Sequence, residues 1–298
     1  MEKSLTRNPL TLVSLLIAGV LLLCTLAAPS IAPHDPSIQE LSRRLEGPQK
    51  GHWMGTDELG RDVLSRIIFG GRVSFEVGVS VVGVSLVVGA LIGSLAGFYG
   101  GALDHFLNLI VINSLLAFPG ILLALAFVAF LGPGLGKLIA ALALTGWIGY
   151  ARLIRGEILK ARELDYVQAA RALGARDWRL LVVHIWPNIV APVTVQAAIG
   201  LAGAILSEAT LSFLGLGVPP PTPSWGGILN DGRAHLLDAP HLVVFPALCV
   251  MAVILAFNFL GDALRDRIDP RLRREIPNGR SATIKPNSAR DSDITTTD

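Results

Sequence analysis

Apolar residues run along this chain in long blocks rather than in the short alternations of a soluble domain. Windows of about 20 residues with almost no charge extend from Leu10 to Ile31, Val77 to Phe98, Phe106 to Leu131, Leu138 to Leu153, Ile189 to Phe213 and Leu242 to Leu260. About 20 apolar residues in helical conformation cross a hydrocarbon core about 30 Å thick. The pattern therefore predicts an all-α polytopic membrane protein with six transmembrane helices. The first window follows Lys3 and Arg7 and is longer than the apolar core of a secretory signal, so it reads as a span. The small residues Ala27-Ala28-Pro29-Ser30 leave cleavage open as an alternative.

The polar intervals give orientation. Basic residues concentrate on the cytoplasmic side of short loops. Lys3 and Arg7 place the N-terminus inside, and an even number of spans returns the C-terminus to the same side. Two clusters agree: Arg152, Arg155, Lys160, Arg162, Arg171, Arg176 and Arg179 between windows four and five, and Arg265, Arg267, Arg271, Arg273 and Arg274 after window six. The segment from Pro33 to Arg72 falls outside and runs against the rule with Arg43, Arg44, Lys50, Arg61, Arg66 and Arg72. The expected organisation is residues 1–32 as cytoplasmic N-terminus and first span, 33–74 as an extracytoplasmic segment, 75–264 as the transmembrane core with a cytoplasmic loop over 152–188, and 265–298 as a tail. After Ile276 large apolar residues almost vanish, which predicts a largely disordered end.

Composition supports the class. Of 298 residues, 52% are hydrophobic and 16% charged, and the mean hydropathy is +0.57. A net charge of +2 is too small to imply a nucleic-acid partner. Cys24 and Cys249 lie in apolar runs and read as buried free thiols.

Within the outer segment, Thr56 to Arg72 places Leu59, Val63 and Ile67 on one helical face with Leu64 and Ile68 beside them, and Asp62 one turn from Arg66, which predicts an interfacial helix leading into span two. Gly89, Gly93 and Gly97 recur every four residues in that span, a small-residue ridge for close helix approach. The simpler expectation is packing within the chain.

The basic loop carries the clearest motif, "DYVQAARALGARDWRLLVVHIWPN" from Asp165 to Asn188. Tyr166, Ala169, Ala170 and Leu173 fall at i, i+3, i+4 and i+7, one compact face suited to docking. Gly174 stands where a helix ends in the left-handed region. Asp177 is expected to cap a second helix running to a bend at Pro187. A solvated loop whose arginines only set topology would not need the apolar stripe.

"QAARALG" followed by "HIWPN" resembles the cytoplasmic loop signature of ABC-importer permeases. Ala169, Ala170, Gly174 and Pro187 match it, while Gln168 replaces the usual Glu and Trp186 the usual Leu. "HWMGTDELGRDVLSRIIFGGRVS", "EATLSFLGLGVPPPTPSWGGIL" and "NFLGDALRDRIDPRLR" narrow the resemblance to the dipeptide/oligopeptide/nickel permease family, C type, over about Thr11 to Arg273. The resemblance implies half of a translocation pathway in a prokaryotic plasma or inner membrane, not an enzyme. Its implied partners are a second homologous permease, two ABC ATPase subunits, an extracytoplasmic substrate-binding protein and membrane lipid. ATP and Mg would sit on the ATPases, and this chain has no GxxxxGK[ST] phosphate loop. The coupling residues it implies are Tyr166, Gln168, Ala169, Ala170, Leu173, Gly174 and Pro187. Di- and oligopeptides are the favoured substrates, with nickel or another small solute as alternative.

Glu208, Asn113 and Gln196 are candidates for the translocation path, because ionisable and polar residues at membrane depth face a partner or a water-filled cavity. The loop from Leu214 to His241 is rich in proline and glycine and predicts rigid turns with little helix. There Trp225 suits an interface, and Pro219 begins a stretch fitted to a gate or binding-protein platform. Asp231, Arg233, His235, Asp238 and His241 match no compact metal-ligand spacing. A secondary transporter without an ATPase and a purely assembling membrane scaffold are the competing classes. No inverted repeat supports the first, and substitution of Gly174 that spares assembly but stops transport would exclude the second.

Overall fold

The computed structural model describes residues 9–268; Lys3, Arg7, Arg271, Arg273, Arg274 and the expected disordered end lie outside them. Among the described residues the regular structure is helical. α1 spans Pro9–Leu26, α2 Ala28–Ile31, α3 Val63–Tyr99, α4 Gly101–Leu116, α5 Gly120–Leu131, α6 Leu135–Ala161, α7 Asp165–Ala172, α8 Asp177–Phe213, α9 Trp225–Gly232 and α10 His241–Ile268. Four of these, α3, α6, α8 and α10, are long and apolar enough to cross a membrane, and α4 with α5 makes a fifth candidate broken by an 80° bend. α1 is apolar but shorter, so the expected count of six rests on it.

The bend has a local cause. Proline lacks an N–H and disfavours helical conformation in the residue before it, and Pro119 follows Ala117 and Phe118 where α4 stops. The expected third span is thus two helices, and α4 itself has π-helical turns over His105–Ile112.

α3 revises the outer segment. It is one helix of 37 residues, about 55 Å long at 1.5 Å per residue, so the expected boundary at residue 74 falls inside it. Residues 56–62 precede the helix as loop, and Asp62 caps it by accepting from Ser65 N at 2.8 Å. Leu59 is therefore not on a shared helical face with Val63 and Ile67. The first turns of α3 are buried by protein, with Val63, Ile67 and Phe75 in a cluster with Trp225, Ile228 and Leu242, rather than lying in a membrane interface. The segment is held by contacts that the helical pattern could not show.

α3 packs most extensively on α6, and α10 on α8 and α1. The glycine ridge explains the first contact. A Cβ on Gly89 would lie 2.8 Å from Trp147 O, on Gly93 2.6 Å from Ala151 O, and on Gly97 2.9 Å from Arg155 O. Only glycine lets the two backbones approach so closely, and the ridge is used inside the chain. Cys24 and Cys249 are free thiols.

Two further expectations change. The outer loop contains a helix, α9, capped by Ser224 Oγ accepting from Gly227 N at 3.1 Å. α6 continues to Ala161 and α8 begins at Asp177, so the connecting loop is far shorter than residues 152–188, and Arg152 and Arg155 belong to a helix.

Candidate functional site

The loop between α6 and α8 is a short helix anchored on one side and exposed on the other. Val167 is fully buried in a cluster with Ile158, Ala161, Leu180 and Ile185. Ala170 turns partly toward that cluster, so the expected four-residue face divides: Tyr166, Ala169 and Leu173 stay outward. Leu173 is 89% and Trp178 62% exposed, a large apolar pair on a surface that water would otherwise disfavour.

Hydrogen bonds fix this helix to its neighbours. Gln168 Nε2 donates to Arg162 O at 2.9 Å, a bond that an ionised glutamate, which only accepts, could not make. The Tyr166 hydroxyl accepts from Asn188 Nδ2 at 2.8 Å and donates to His184 O at 3.3 Å, tying α7 to α8. Arg162 Nη1 donates to Gly97 O at 3.1 Å, and the Arg171 guanidinium lies 5.8 Å from the Phe98 ring centre. A displacement of α7 therefore acts on the ends of α3, α6 and α8 together.

The loop ends as its glycine requires. Gly174 has φ +83°. Ala175 N donates to Ala170 O at 3.1 Å, and Gly174 N to Arg171 O at 2.9 Å; these paired bonds define a Schellman motif. Asp177 is the first helical residue of α8, not its cap, and Arg176 takes the cap position without a side-chain bond. Asp177 instead places an acid in the first turn, where the helix dipole favours it. Pro187 does not end a helix: α8 runs through it, after π-helical turns over Leu180–Ile185 whose wider winding accommodates a residue that cannot donate.

Within the apolar helix α8, Glu208 is fully buried. Ser74 Oγ donates to its Oε2 at 2.8 Å and Ser212 Oγ to its Oε1 at 2.7 Å. In this way the carboxylate joins α3 to α8, the partnered arrangement that an acid in an apolar helix requires. Asn113 is exposed on α4 and Gln196 half-buried on α8; among the described residues no hydrogen bond joins either to Glu208.

The outer segment and outer loop meet in a buried ion cluster that spacing alone did not reveal. Asp57 accepts from Arg61 Nε at 2.7 Å and from Arg66, and both arginines also reach Asp231 Oδ2, at 3.4 and 3.1 Å. Arg61 and Arg66, two of the basic residues that ran against the orientation rule, are thus neutralised inside the protein. Trp225 is a core residue, not an interfacial one: its Nε1 donates to Ile67 O at 2.9 Å, and its ring meets Phe75 edge-on. Pro219 is exposed on the same loop.

His34, His52 and Asp62 bring three potential metal-ligand atoms within 4.8 Å of one another. Their present partners are internal. His52 Nδ1 lies 2.8 Å from Asp62 Oδ1 and its Nε2 2.7 Å from Arg43 Nη1. The two imidazoles stack at 4.7 Å with planes 23° apart, so their lone pairs lie in nearly parallel planes. Beside them the Ser37 hydroxyl and N–H hold the Asp35 carboxyl below its ordinary range.

The comparisons with known proteins follow the same lines. Residues 89–274 match the family described as binding-protein-dependent transport system inner membrane component, and residues 3–48 match the N-terminal TM domain of oligopeptide transport permease C. The chain is 41% identical over 271 residues to the dipeptide transport system permease protein DppC of Alkalihalophilus pseudofirmus, covering 91% of this chain and 89% of that one. It is 43% identical over 257 residues to the glutathione transport system permease protein GsiD of Pectobacterium atrosepticum, 85% of each. It is 37% identical over 273 residues to DppC of Bacillus subtilis, 91% of this chain and 85% of the other.

Proposed function

The chain belongs to the family of binding-protein-dependent transport system inner membrane components, and from that premise we propose that it is one permease half of an ABC importer for di- and oligopeptides, glutathione included. It pairs with a second homologous permease. Two ATPase subunits dock on the loop centred on α7, and an extracytoplasmic binding protein delivers substrate at the opposite side, where Pro219 is exposed. The N- and C-termini lie in the cytoplasm. ATP and Mg belong to the ATPases, and the chain binds no cofactor.

The observation that carries this reading is the loop: two exposed apolar side chains, Leu173 at the end of α7 and Trp178 at the start of α8, beside a short helix whose buried side and contacts grip the ends of α3, α6 and α8. ATPase closure moves α7 as a rigid lever, and the helices it grips turn with it, switching the pathway between inward-facing and outward-facing arrangements. The names of the relatives favour peptide over nickel as cargo. Parallel uptake of labelled dipeptide, glutathione and nickel, in cells with the complete transporter and in cells lacking only this chain, tests the proposal. Loss of dipeptide or glutathione uptake supports it; loss of nickel uptake alone overturns the peptide assignment.

A further inference from the structure

A cavity of about 170 Å³ lies at the inner corner of the broken α4–α5 pair. One wall is the bend itself, with Leu116, Phe118 and Gly120; the other is a single stripe of α6, Thr145, Ile148, Gly149 and Arg152, at i, i+3, i+4 and i+7. Irregular backbone at membrane depth is tolerated where it is covered by protein or lines a cavity, and the 80° bend meets that condition here. The arginine is the unusual member. Its neighbour Arg155, one turn along α6, is held bidentate by Asp104 at 2.5 and 2.6 Å, and Arg162 is bonded to a helix-end carbonyl. Arg152 is exposed, and among the described residues it has no hydrogen-bond or ion-pair partner.

An arginine on an apolar membrane helix needs an anion or water. We infer that Arg152 binds the free carboxylate of the peptide in transit, in the cavity at the α4–α5 bend. The guanidinium presents paired N–H donors that match a carboxylate. Thr145, on the same stripe and lining the same cavity, donates its hydroxyl proton to Leu142 O at 3.1 Å, which leaves its oxygen free to accept. The two residues are seven apart on α6, about 10 Å by helical rise, the reach of two or three extended residues at about 3.5 Å each. A short peptide can thus meet Arg152 with its carboxylate while an N–H toward its other end points at Thr145. The inference rests on the peptide-importer reading above and gives that pathway a polar subsite.

The test uses the complete transporter in proteoliposomes, with alanyl-alanine and its C-terminal amide as cargoes, each at concentrations shown to load the binding protein. Wild type and Arg152→Gln are compared at equal membrane content, with Arg152→Lys as the variant that keeps the charge. Arg152→Gln is expected to lower uptake of the acid about tenfold, the scale of one charged hydrogen-bonding interaction, with amide uptake and basal ATP hydrolysis within twofold of wild type; Arg152→Lys is expected to recover most acid uptake. Equal loss for acid and amide assigns Arg152 to helix packing or a lipid headgroup and overturns the inference, as does unchanged uptake of both. No acid uptake by wild type overturns the peptide-importer reading itself, and the inference with it.

Discussion

Ser74 Oγ on α3 donates to Glu208 Oε2 on α8 across 2.8 Å, joining helices 134 positions apart in the chain at a point with no solvent access. Ser212 satisfies the other oxygen from one turn away. Buried polar groups stabilise when their partners are complete and destabilise when one is removed. Glu208→Gln keeps a carbonyl oxygen to accept from one serine and is expected to retain more than half of wild-type uptake. Glu208→Ala strands two hydroxyls and is expected to lower thermal stability in detergent by about 1–3 kcal/mol. Abolition of uptake by Glu208→Gln in a normally folded complex would show that the charge itself is needed for transport.

The Arg66–Asp57 pair makes a second prediction. Both side chains are almost fully buried, and removing Arg66 leaves Asp57 with Arg61 as its one remaining arginine, at a cost below the ~3–5 kcal/mol of a buried charge left wholly unpaired. Arg66→Ala is expected to reduce the amount of folded chain recovered from membranes and to expose residues 33–62 to protease added from the outside of the cell. Protection equal to wild type would mean that Trp225 and its apolar neighbours hold the clasp without the ions.

The glycine ridge separates close approach from simple flexibility. Gly93→Leu forces a side chain against Ala151 O, where even a Cβ would stand 2.6 Å away, whereas Gly83 on the same helix has nothing within 4 Å. Gly93→Leu is expected to cost at least the 1–3 kcal/mol typical of overpacking, and Gly83→Ala to leave the melting temperature within about 2 °C. Equal effects would place the ridge away from α6.

At the loop, Gly174 has open space around it but φ +83°. Substitution is penalised by backbone conformation, about 1–2 kcal/mol for a β-carbon-bearing residue in the left-handed region, and less for asparagine. Gly174→Val is expected to leave the complex assembled but to raise the ATP hydrolysed per peptide imported severalfold, and Gly174→Asn to couple nearly as wild type. Gly174→Asp adds an anion at the same turn and is also expected to uncouple. Normal coupling in both Gly174→Val and Gly174→Asp would remove this turn from the coupling mechanism.

The helical class, the long apolar helices and the place of the loop motif were legible because they depend on local composition and spacing. Gly174 could be read because a single backbone angle demands it, and the Gly89, Gly93 and Gly97 ridge because its period matches a helix face. What stayed hidden depends on pairing across distance. Asp57, Arg61 and Arg66 look like a solvated charge run until Asp231 arrives from the other side of the chain. The serines that partner Glu208 come into view only when Ser74 is found against it, and Trp225 looks like an interfacial ring until Ile67 offers a carbonyl. Val167 was masked by its exposed neighbours, since an eight-residue helix carries too few turns to show which apolar residue points inward. Pro119 and Pro187 show the limit of punctuation signals: the first breaks a span by 80°, while the second is carried within a helix by the π-helical turns before it.

The most direct measurement of the central claim, ATP-driven import through an anchored loop helix, is accumulation of labelled dipeptide in proteoliposomes containing either the complete transporter or the transporter with Leu173→Asp in this chain. Leu173 is exposed, so its substitution leaves the fold intact while placing a charge on the docking surface. The account predicts ATP-dependent accumulation by the complete transporter, and its loss in the variant together with loss of the ATPase subunits on purification. Accumulation by this chain alone without ATP, or undiminished ATP-driven accumulation by the Leu173→Asp transporter, would contradict it.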